Sequence, residues 1–440
     1  MDRAGACLLW AWLVAFPLQA EEKGLDPLPQ PLTLETALAM AEDDHPELEQ
    51  ADARLRLARA QRLAAEADNG LELGVELSAR VIEPSRSSSY QQHNDSFARL
   101  YARKRLYDFG RTRWRLEAED AEIKAREWSM IEVRRRRRIE VMSRFFDVHL
   151  ADLENARDTE AMAVAFVRLD KGRERHRLEQ LSDVGLLELE ADYQAALHRQ
   201  RLSEARQRTS RARLAAALNR PAALPAELAW PELPELARTP EEYEPLVEMA
   251  LSGNPHLQSL RAALDAEKRR MRSARAGRYP VVRGEVEAAE YRRPSGGRAP
   301  LAAGIAIEIP LYDGGRVAAD TARHRARLHE RRSELAAAEM EIRQGVLELW
   351  SHLNTLRVRR AGLNAVAEYR ELYLDRSRAL YEMEVTSDLG DAMVRISDYR
   401  LQRAENDFEL ALTWARLDAL VGRDAAEANE RGRRRTKGEE

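Results

Sequence analysis

The 440-residue chain has very little cysteine: Cys7 stands alone, and nothing downstream of it can form a disulfide, offer a thiol nucleophile or supply a thiolate to a metal. Long apolar runs are missing too. After the first twenty residues no segment reaches the roughly 18 uninterrupted apolar residues of a membrane-spanning helix. A surplus of one charge is also absent, since 71 Lys and Arg against 75 Asp and Glu leave a formal net charge of -4, which gives no field that would draw nucleic acid. The nine histidines are scattered, with His324 and His329 five apart and no HExxH, and neither a phosphate-binding loop nor a dinucleotide fingerprint occurs. These absences predict no catalytic residue, no cofactor site and no metal site.

What the chain does have is charge of both signs, a third of all residues, with modest glycine, a composition of long solvated helices. Residues 1–20 read as a secretory signal peptide: Arg3, an apolar run from Leu8 to Leu18, then Leu18-Gln19-Ala20 ahead of Glu21. The alternative, a membrane anchor, is disfavoured because the run is too short to cross a bilayer. An exported chain without a spanning helix is soluble, peripheral or a β-barrel.

After Pro27, Pro29 and Pro31 a helix is expected from an N-cap at Thr33 to about Asn69, with a possible break at His45-Pro46. Leu71 to Val81 alternates without exception, Leu71, Leu73, Val75, Leu77, Ala79 and Val81 on one side and polar residues or glycine on the other, so it predicts a strand with one oily face. A polar loop, Glu83 to Asp95, leads to a second strand over 96–106. From Arg111 to about Gln180 there is no proline and one glycine, which predicts a helix about 105 Å long. A turn at Leu181-Ser182-Asp183 and a return helix to Asn219 follow. Six prolines between residues 221 and 245 make a linker.

The order then repeats: helix from Tyr243 to Arg278, strand Val281 to Glu290, strand Leu301 to Leu311, long helix Arg316 to Val385, turn at Thr386-Ser387-Asp388, and a return helix to Gly422. Leu106-Tyr107-Asp108 and Leu311-Tyr312-Asp313 lie 205 residues apart, and so do the Ser182-Asp183 and Ser387-Asp388 turns. An internal two-fold repeat follows. The expected division is a first repeat over 21–220, the linker over 221–245, a second repeat over 246–423 and a disordered tail over 424–440. Leu328, Leu335, Ile342, Leu349, Leu356 and Leu363 recur at strict sevens, the mark of a supercoiled seam. The run Arg134 to Arg138 reads as a solvated helix face.

The two strand-to-helix joints organise this plan. Gly314 and Gly315 of IPLYDGGR, and Gly110 of LYDFGR, serve best as backbone bends, because the rest of a phosphate cradle is missing. Four strands cannot close a barrel and would leave open edges, whereas three copies supply twelve, an even number suited to a membrane barrel. Tyr107, Phe109, Tyr279 and Tyr312 fall at the strand ends nearest the helices, where an interfacial aromatic girdle would sit.

The IPLYDGGR joint, the twice-given order of helix, two strands and two helices, and the proline-rich middle resemble the TolC-like outer-membrane efflux proteins over about residues 32–423. Pro310 to Arg316 match the family pattern. The first copy departs from it at Arg105 and Phe109, and Glu179 and Glu384 occupy the places where the family's helix tips carry glycine. The resemblance implies a mostly helical α+β fold: long α-helical hairpins forming a periplasmic α-barrel, with four strands per chain joining a trimeric 12-stranded transmembrane β-barrel. It implies a homotrimeric channel-tunnel in the outer membrane that meets a periplasmic adaptor (membrane fusion) protein and an inner-membrane pump or ABC transporter, serving efflux or type I secretion. Its other contact is outer-membrane lipid; nucleic acid is not a partner. Glu382, Glu384, Asp388 and Asp391 are the aperture candidates, since a threefold ring of acids would form a cation-attracting constriction. Ser182, Asp183, Ser387 and Asp388 are the adaptor-docking candidates, and Pro310, Tyr312, Gly314, Gly315, Tyr107 and Gly110 build the joints. The rival reading is a periplasmic coiled-coil adaptor or scaffold, which would share the heptads but not the oily strands.

Overall fold

The computed structural model describes residues 28–423 apart from 43–44, 86–88, 294–297 and 384–387. The signal peptide with Cys7, the tail, Glu384 and the Thr386-Ser387 part of the second turn lie outside the described residues. The first helical stretch is two helices, α1 (Leu34–Met40) and α2 (Pro46–Ala67). Thr33 caps α1 in a reciprocal arrangement with Thr36, and His45 caps α2 by accepting from the Glu47 N–H, so the proline marks a helix start rather than a kink.

Strands β1 (Leu71–Ser78) and β2 (Phe97–Tyr107) lead into α3 (Arg111–Arg177) and α4 (Asp183–Ala217). A short 3₁₀ turn at Pro234–Ala237 sits in the linker. The next expected helix is again two, α5 (Tyr243–Gly253) and α6 (Pro255–Ala276), because Asn254 leaves the helical region and its side chain caps α6 through the Leu257 N–H. Then come β3 (Val281–Tyr291), β4 (Leu301–Glu308), α7 (Arg316–Glu382) and α8 (Leu389–Val421). The two outer strands are shorter than their alternation: β1 stops three residues before Val81, which pairs with Asn94 as an isolated bridge, and β4 ends before Pro310, which has no N–H to give the ladder.

α3 and α7 are each 67 residues, about 100 Å, and α2 and α6 are each 22. The long helices serve as rails. The first half of α3 packs against α2 and α6 and its second half against α4, while α7 packs against α6 and then α8. The sevens on α7 are its seam: Leu328, Ile342, Leu356 and Leu363 are buried, together with Val346 and Leu353. Around the middle, α1, the 3₁₀ turn and α5 form a belt on one face of the helical layer, over two cores. One core holds Leu32, Phe145, Phe146 and Phe408, with Phe146 and Phe408 stacked at 4.4 Å; the other holds Leu246, Leu257, Leu353 and Trp414.

The arginine run departs from its sequence reading. Arg136 and Arg138 face outward and pair with Glu47 at 3.3 Å and Glu42 at 2.5 Å, but Arg135 and Arg137 are buried. Arg135 donates to the Ala419 carbonyl at 2.9 Å and the Gly422 carbonyl at 3.4 Å, and Arg137 donates to the Ala217 carbonyl and to Glu140 at 2.8 Å. Each guanidinium meets the negative end of a return helix, α8 for one and α4 for the other, where unpaired carbonyls and the helix dipole favour a cation. Alternate residues of a helix point to different sides, so a run of five arginines is divided between solvent and core. Arg137→Ala is expected to cost about 2–4 kcal/mol, because it strips a buried carbonyl of its donor and opens the space filled by the arginine stem. Thermal unfolding checks this, with Arg136→Ala changing stability by less than about 0.5 kcal/mol.

Candidate functional site

The strands form one antiparallel sheet in the order β1-β2-β3-β4. Its register settles which side chains share a face. Leu71, Leu73, Val75 and Leu77 stand opposite Lys104, Ala102, Leu100 and Ala98; beyond them come Gly284, Val286 and Ala288, then Ile305, Ala303 and Leu301. That face is largely apolar and open, with Leu73 66% and Ile305 70% exposed and with Lys104 and Glu290 standing at its two ends. The opposite face carries ion pairs running across the strands: Arg99 with Glu76 and with Glu287 at 3.3 Å, Arg103 with Glu285 at 3.8 Å, and Arg283 with Glu308 at 2.8 Å. Tyr101 lies over Gly74 on this face, in space that any Cβ would fill. One face therefore suits hydrocarbon and the other water. Beyond the sheet end farthest from the helices, buried Asp95 binds Arg80 and Arg298, the latter at 2.7 Å, and ties the two interstrand loops together. These two guanidinium groups lower its carboxyl to about 2.

At the other end lie the joints. Phe109 and Gly110 in the first copy, and Gly314 and Gly315 in the second, all have positive φ, from 54° to 84°, so two successive left-handed residues turn strand into helix. The acid of each motif is an N-terminal cap. Asp108 accepts from the Thr112 N–H at 2.8 Å, and Asp313 accepts from the Gly315 and Val317 N–H groups at 2.9 and 2.8 Å. Those carboxylates occupy the anion position that a phosphate would need. Phe109 stacks on Tyr279 at 5.4 Å and meets Tyr107 edge-on at 4.8 Å, which closes the first joint. The second joint is open, with Leu311 and Tyr312 about nine-tenths exposed beside Pro310.

At the far end of the helices, Ser182 caps α4 by accepting from the Gly185 N–H at 3.2 Å, and Asp183 bonds His176 at 2.7 Å. Glu179 takes a left-handed φ of 56°, the conformation for which glycine is suited, so this turn is built without glycine at a local backbone cost. In the second tip, Asp388 accepts from the Tyr373 hydroxyl and from the Ser377 hydroxyl at 3.5 Å, and these hydrogen bonds lower its pKa. Asp391 pairs with Arg168 of α3 at 2.5 Å, while Glu382 is exposed at the end of α7. Asp388 and Asp391 are thus engaged in ties, the second of them between α3 and α8.

Residues 246–423 match the family described as outer membrane efflux protein. That match runs from α5 to the end of α8. A comparison with curated proteins finds no match. Among solved structures, the fold is similar to the outer membrane protein VceC of Vibrio cholerae (TM-score 0.69, 17% identity, 88% of this chain and 96% of that one). It is likewise similar to the CmeC outer membrane channel of Campylobacter jejuni (0.72, 14%, 88% and 85%) and to the open state of the MtrE outer membrane channel of Neisseria gonorrhoeae (0.68, 17%, 88% and 88%).

The localisation that these similarities support is the outer membrane, extending into the periplasm. Among the described residues no helix is long and apolar enough to cross a membrane, and no cluster of three or more His, Asp or Glu is arranged to hold a metal ion. The sequence reading found the glycines of the joints but not the capping role of Asp108 and Asp313. The recurrence of an acid four residues before Thr112 and before Val317 was the available signal. It also missed the arginines that close α4 and α8. Asp108→Ala is expected to destabilise by about 1–2 kcal/mol, since this cap is buried and also holds Arg105 at 3.6 Å. Asp313 differs in being half-buried. Its pKa is lowered, chiefly by the Val317 N–H, so its contribution is full above the usual carboxylate pKa and is lost as the pH falls through the depressed value. Acid unfolding curves of Asp313→Asn should accordingly lose part of their slope below about pH 4.

Proposed function

We propose that this chain is an outer membrane efflux protein and the exit duct of a tripartite efflux or type I secretion assembly: a homotrimer with a shared 12-stranded barrel continued by a helical tunnel, docked at its periplasmic tip by an adaptor and an inner-membrane pump or ABC transporter. The observation that carries the reading is the sheet, four strands with an oily face, an ion-paired face and two unpaired edges. β1 and β4 are eight residues each and run in opposite directions, so β4 of one copy meets β1 of the next as an antiparallel neighbour. Three copies close the ring.

The helices support the same closure. α2 packs on α3 through Ala51, Leu55, Ala58 and Ala65, and it carries a second seam, Ala53, Leu57, Ala60, Ala64 and Ala67, that is exposed. The counterpart of that second seam in α6 includes Ala266, Arg269, Ser273 and Ala276, and it is packed against α3, with Arg269 on Glu117 at 3.2 Å and the Ser273 hydroxyl on the Arg111 carbonyl at 2.9 Å. Repeating that contact between copies pairs the free seam of α2 with the exposed Ala319, Ala322 and Ala326 of α7. An exposed alanine heptad on a charged helix has no use in water; against another helix it permits close approach. In such a ring the belt lies outside, because inside it would block the bore. A periplasmic adaptor, the rival reading, leaves the oily sheet face without a use.

The tip serves as the gate in this reading. Arg168–Asp391 and Tyr373–Asp388 hold the helices together, and Glu382, Glu384, Asp388 and Asp391 crowd acids from three copies around the aperture. Ser182, Asp183, Ser387 and Asp388 present the adaptor-docking ends.

Cysteine pairs test the closure directly, since the only native cysteine is Cys7. The Ser259 hydroxyl reaches the Ala125 carbonyl at 2.9 Å, and the equivalent contact between copies joins Gln50 to Glu330. Gln50→Cys with Glu330→Cys should give covalent trimers with a short thiol-reactive linker. The mismatched pair Gln50→Cys with Arg316→Cys, about 20 Å off register, should not. Monomers alone from the matched pair in outer-membrane protein would sink the trimer. For the gate, the double substitution Asp388→Asn and Asp391→Asn should weaken divalent-cation block of single-channel currents several-fold; unchanged block removes the acidic ring.

A further inference from the structure

Below the belt a cleft of about 660 Å³ opens between α7 and α8 under the linker. Trp230 forms one wall and is 58% exposed, the one tryptophan among the described residues with more than a third of its surface open. The ring is nevertheless fixed. Its edge is held by His149 at 5.1 Å and Phe408 at 5.3 Å, and the backbone just before it is pinned by the Ala229 N–H on the Leu32 carbonyl at 2.9 Å and by His149 Nε2 on the Ala229 carbonyl at 3.2 Å. The rest of the cleft sets polar groups among Leu153, Leu374, Ile396 and Ala404. Arg403 donates to the Tyr399 hydroxyl at 3.1 Å, Glu371 stands beside it, and Asp375 and Arg400 are exposed with no hydrogen-bond or ion-pair partner among the described residues.

An indole held rigid at the surface leaves apolar area in water with no packing return, so it suits a ligand that covers it. Facing it are carboxylates and a guanidinium whose donors and acceptors are unused. That pairing fits a pyranose ring, whose partly positive C–H face lies on the negative face of the indole while its hydroxyl and acetamido groups bond the charged side chains. An apolar peptide would leave Asp375 and Arg400 unpaired and desolvated.

We propose that the Trp230 cleft binds the glycan of the cell wall, an N-acetylated amino-sugar polymer, as an anchor for the duct where it passes through the periplasm. The proposal rests on the reading of the chain as an outer-membrane duct. Asp375 lies about 90 Å along α7 from the membrane joint, on the face that carries the belt, so in the closed ring three such clefts look outward into the periplasm.

The test is co-sedimentation of the detergent-solubilised full-length protein with purified Gram-negative sacculi. Native protein should pellet with the sacculi and be released by chitotetraose, with no release by a stem peptide lacking sugar. Trp230→Ala should lower retention about tenfold. Asp375→Asn combined with Arg400→Gln, which leaves the ring packing untouched, should lower it several-fold with the thermal transition unchanged. No pelleting of the native protein, equal retention of the double variant, or release by the peptide alone overturns the proposal. Single-channel conductance of the same preparations separates this from the duct reading: conducting pores that ignore sacculi remove only the glycan site.

Discussion

Unpaired backbone hydrogen bonds along β1 and β4 set the terms for the rest of the molecule. In water a strand edge is tolerable, but beside an apolar face in hydrocarbon each open N–H or C=O costs several kcal/mol, so the sheet cannot enter the membrane alone. The register puts the oily residues of all four strands on one side and the ion pairs on the other, which removes any alternative packing of the sheet against its own chain. In the proposed trimer, closure with copies of itself satisfies the edges, and the geometry of that closure is then imposed on everything attached to the strands.

The helices inherit that constraint through the two joints, which are built on one plan but finished differently. In both, an acid caps the helix and two left-handed residues make the bend. The first is completed within the chain by Phe109 against Tyr279. The second keeps glycines and leaves Tyr312 uncovered, at the flank where β4 and the free face of α7 both end. In the same way, α6 fills its seam with Arg269 and Ser273, bonded to α3, whereas α2 presents bare alanines. Contacts made within the chain use specific hydrogen bonds and rings; surfaces left open use small residues, which tolerate approach by a flat helical face.

Charge in the helical region is structural far more than it is a field. Arg135 and Arg137 close the ends of α8 and α4, and Arg238 pairs with Asp418 at 2.6 Å while lying over Trp414 at 4.0 Å. His149, neutral because burial lowers its pKa, ties the linker to α3 through the Ala229 carbonyl. These buried polar contacts lock the belt onto the rails at mid-length, where the helix pairs change partners.

Much of the fold was legible in the residues, because its signals are periodic. A period of two in Leu71 to Leu77 declares an oily strand face, a period of seven in Leu328 to Leu363 declares a seam, and the motifs 205 residues apart mark the two strand-to-helix joints. Periodicity needs no partner to be read. It could not say that the helices before β1 and β3 are each split in two, since His45 and Asn254 act through side-chain caps that depend on local conformation. Nor could it divide Arg134 to Arg138 between water and core, because that depends on where α4 and α8 end in space. The tip acids show the same boundary. Sequence marked Asp388 and Asp391 as exposed negative charge, and only the packing of α3 against α8 brought Arg168 to one of them and the fold of the tip brought Tyr373 to the other. What a residue repeats along the chain was written in the sequence; what it meets across the chain was decided by tertiary structure, because a contact between residues hundreds of positions apart leaves no local pattern.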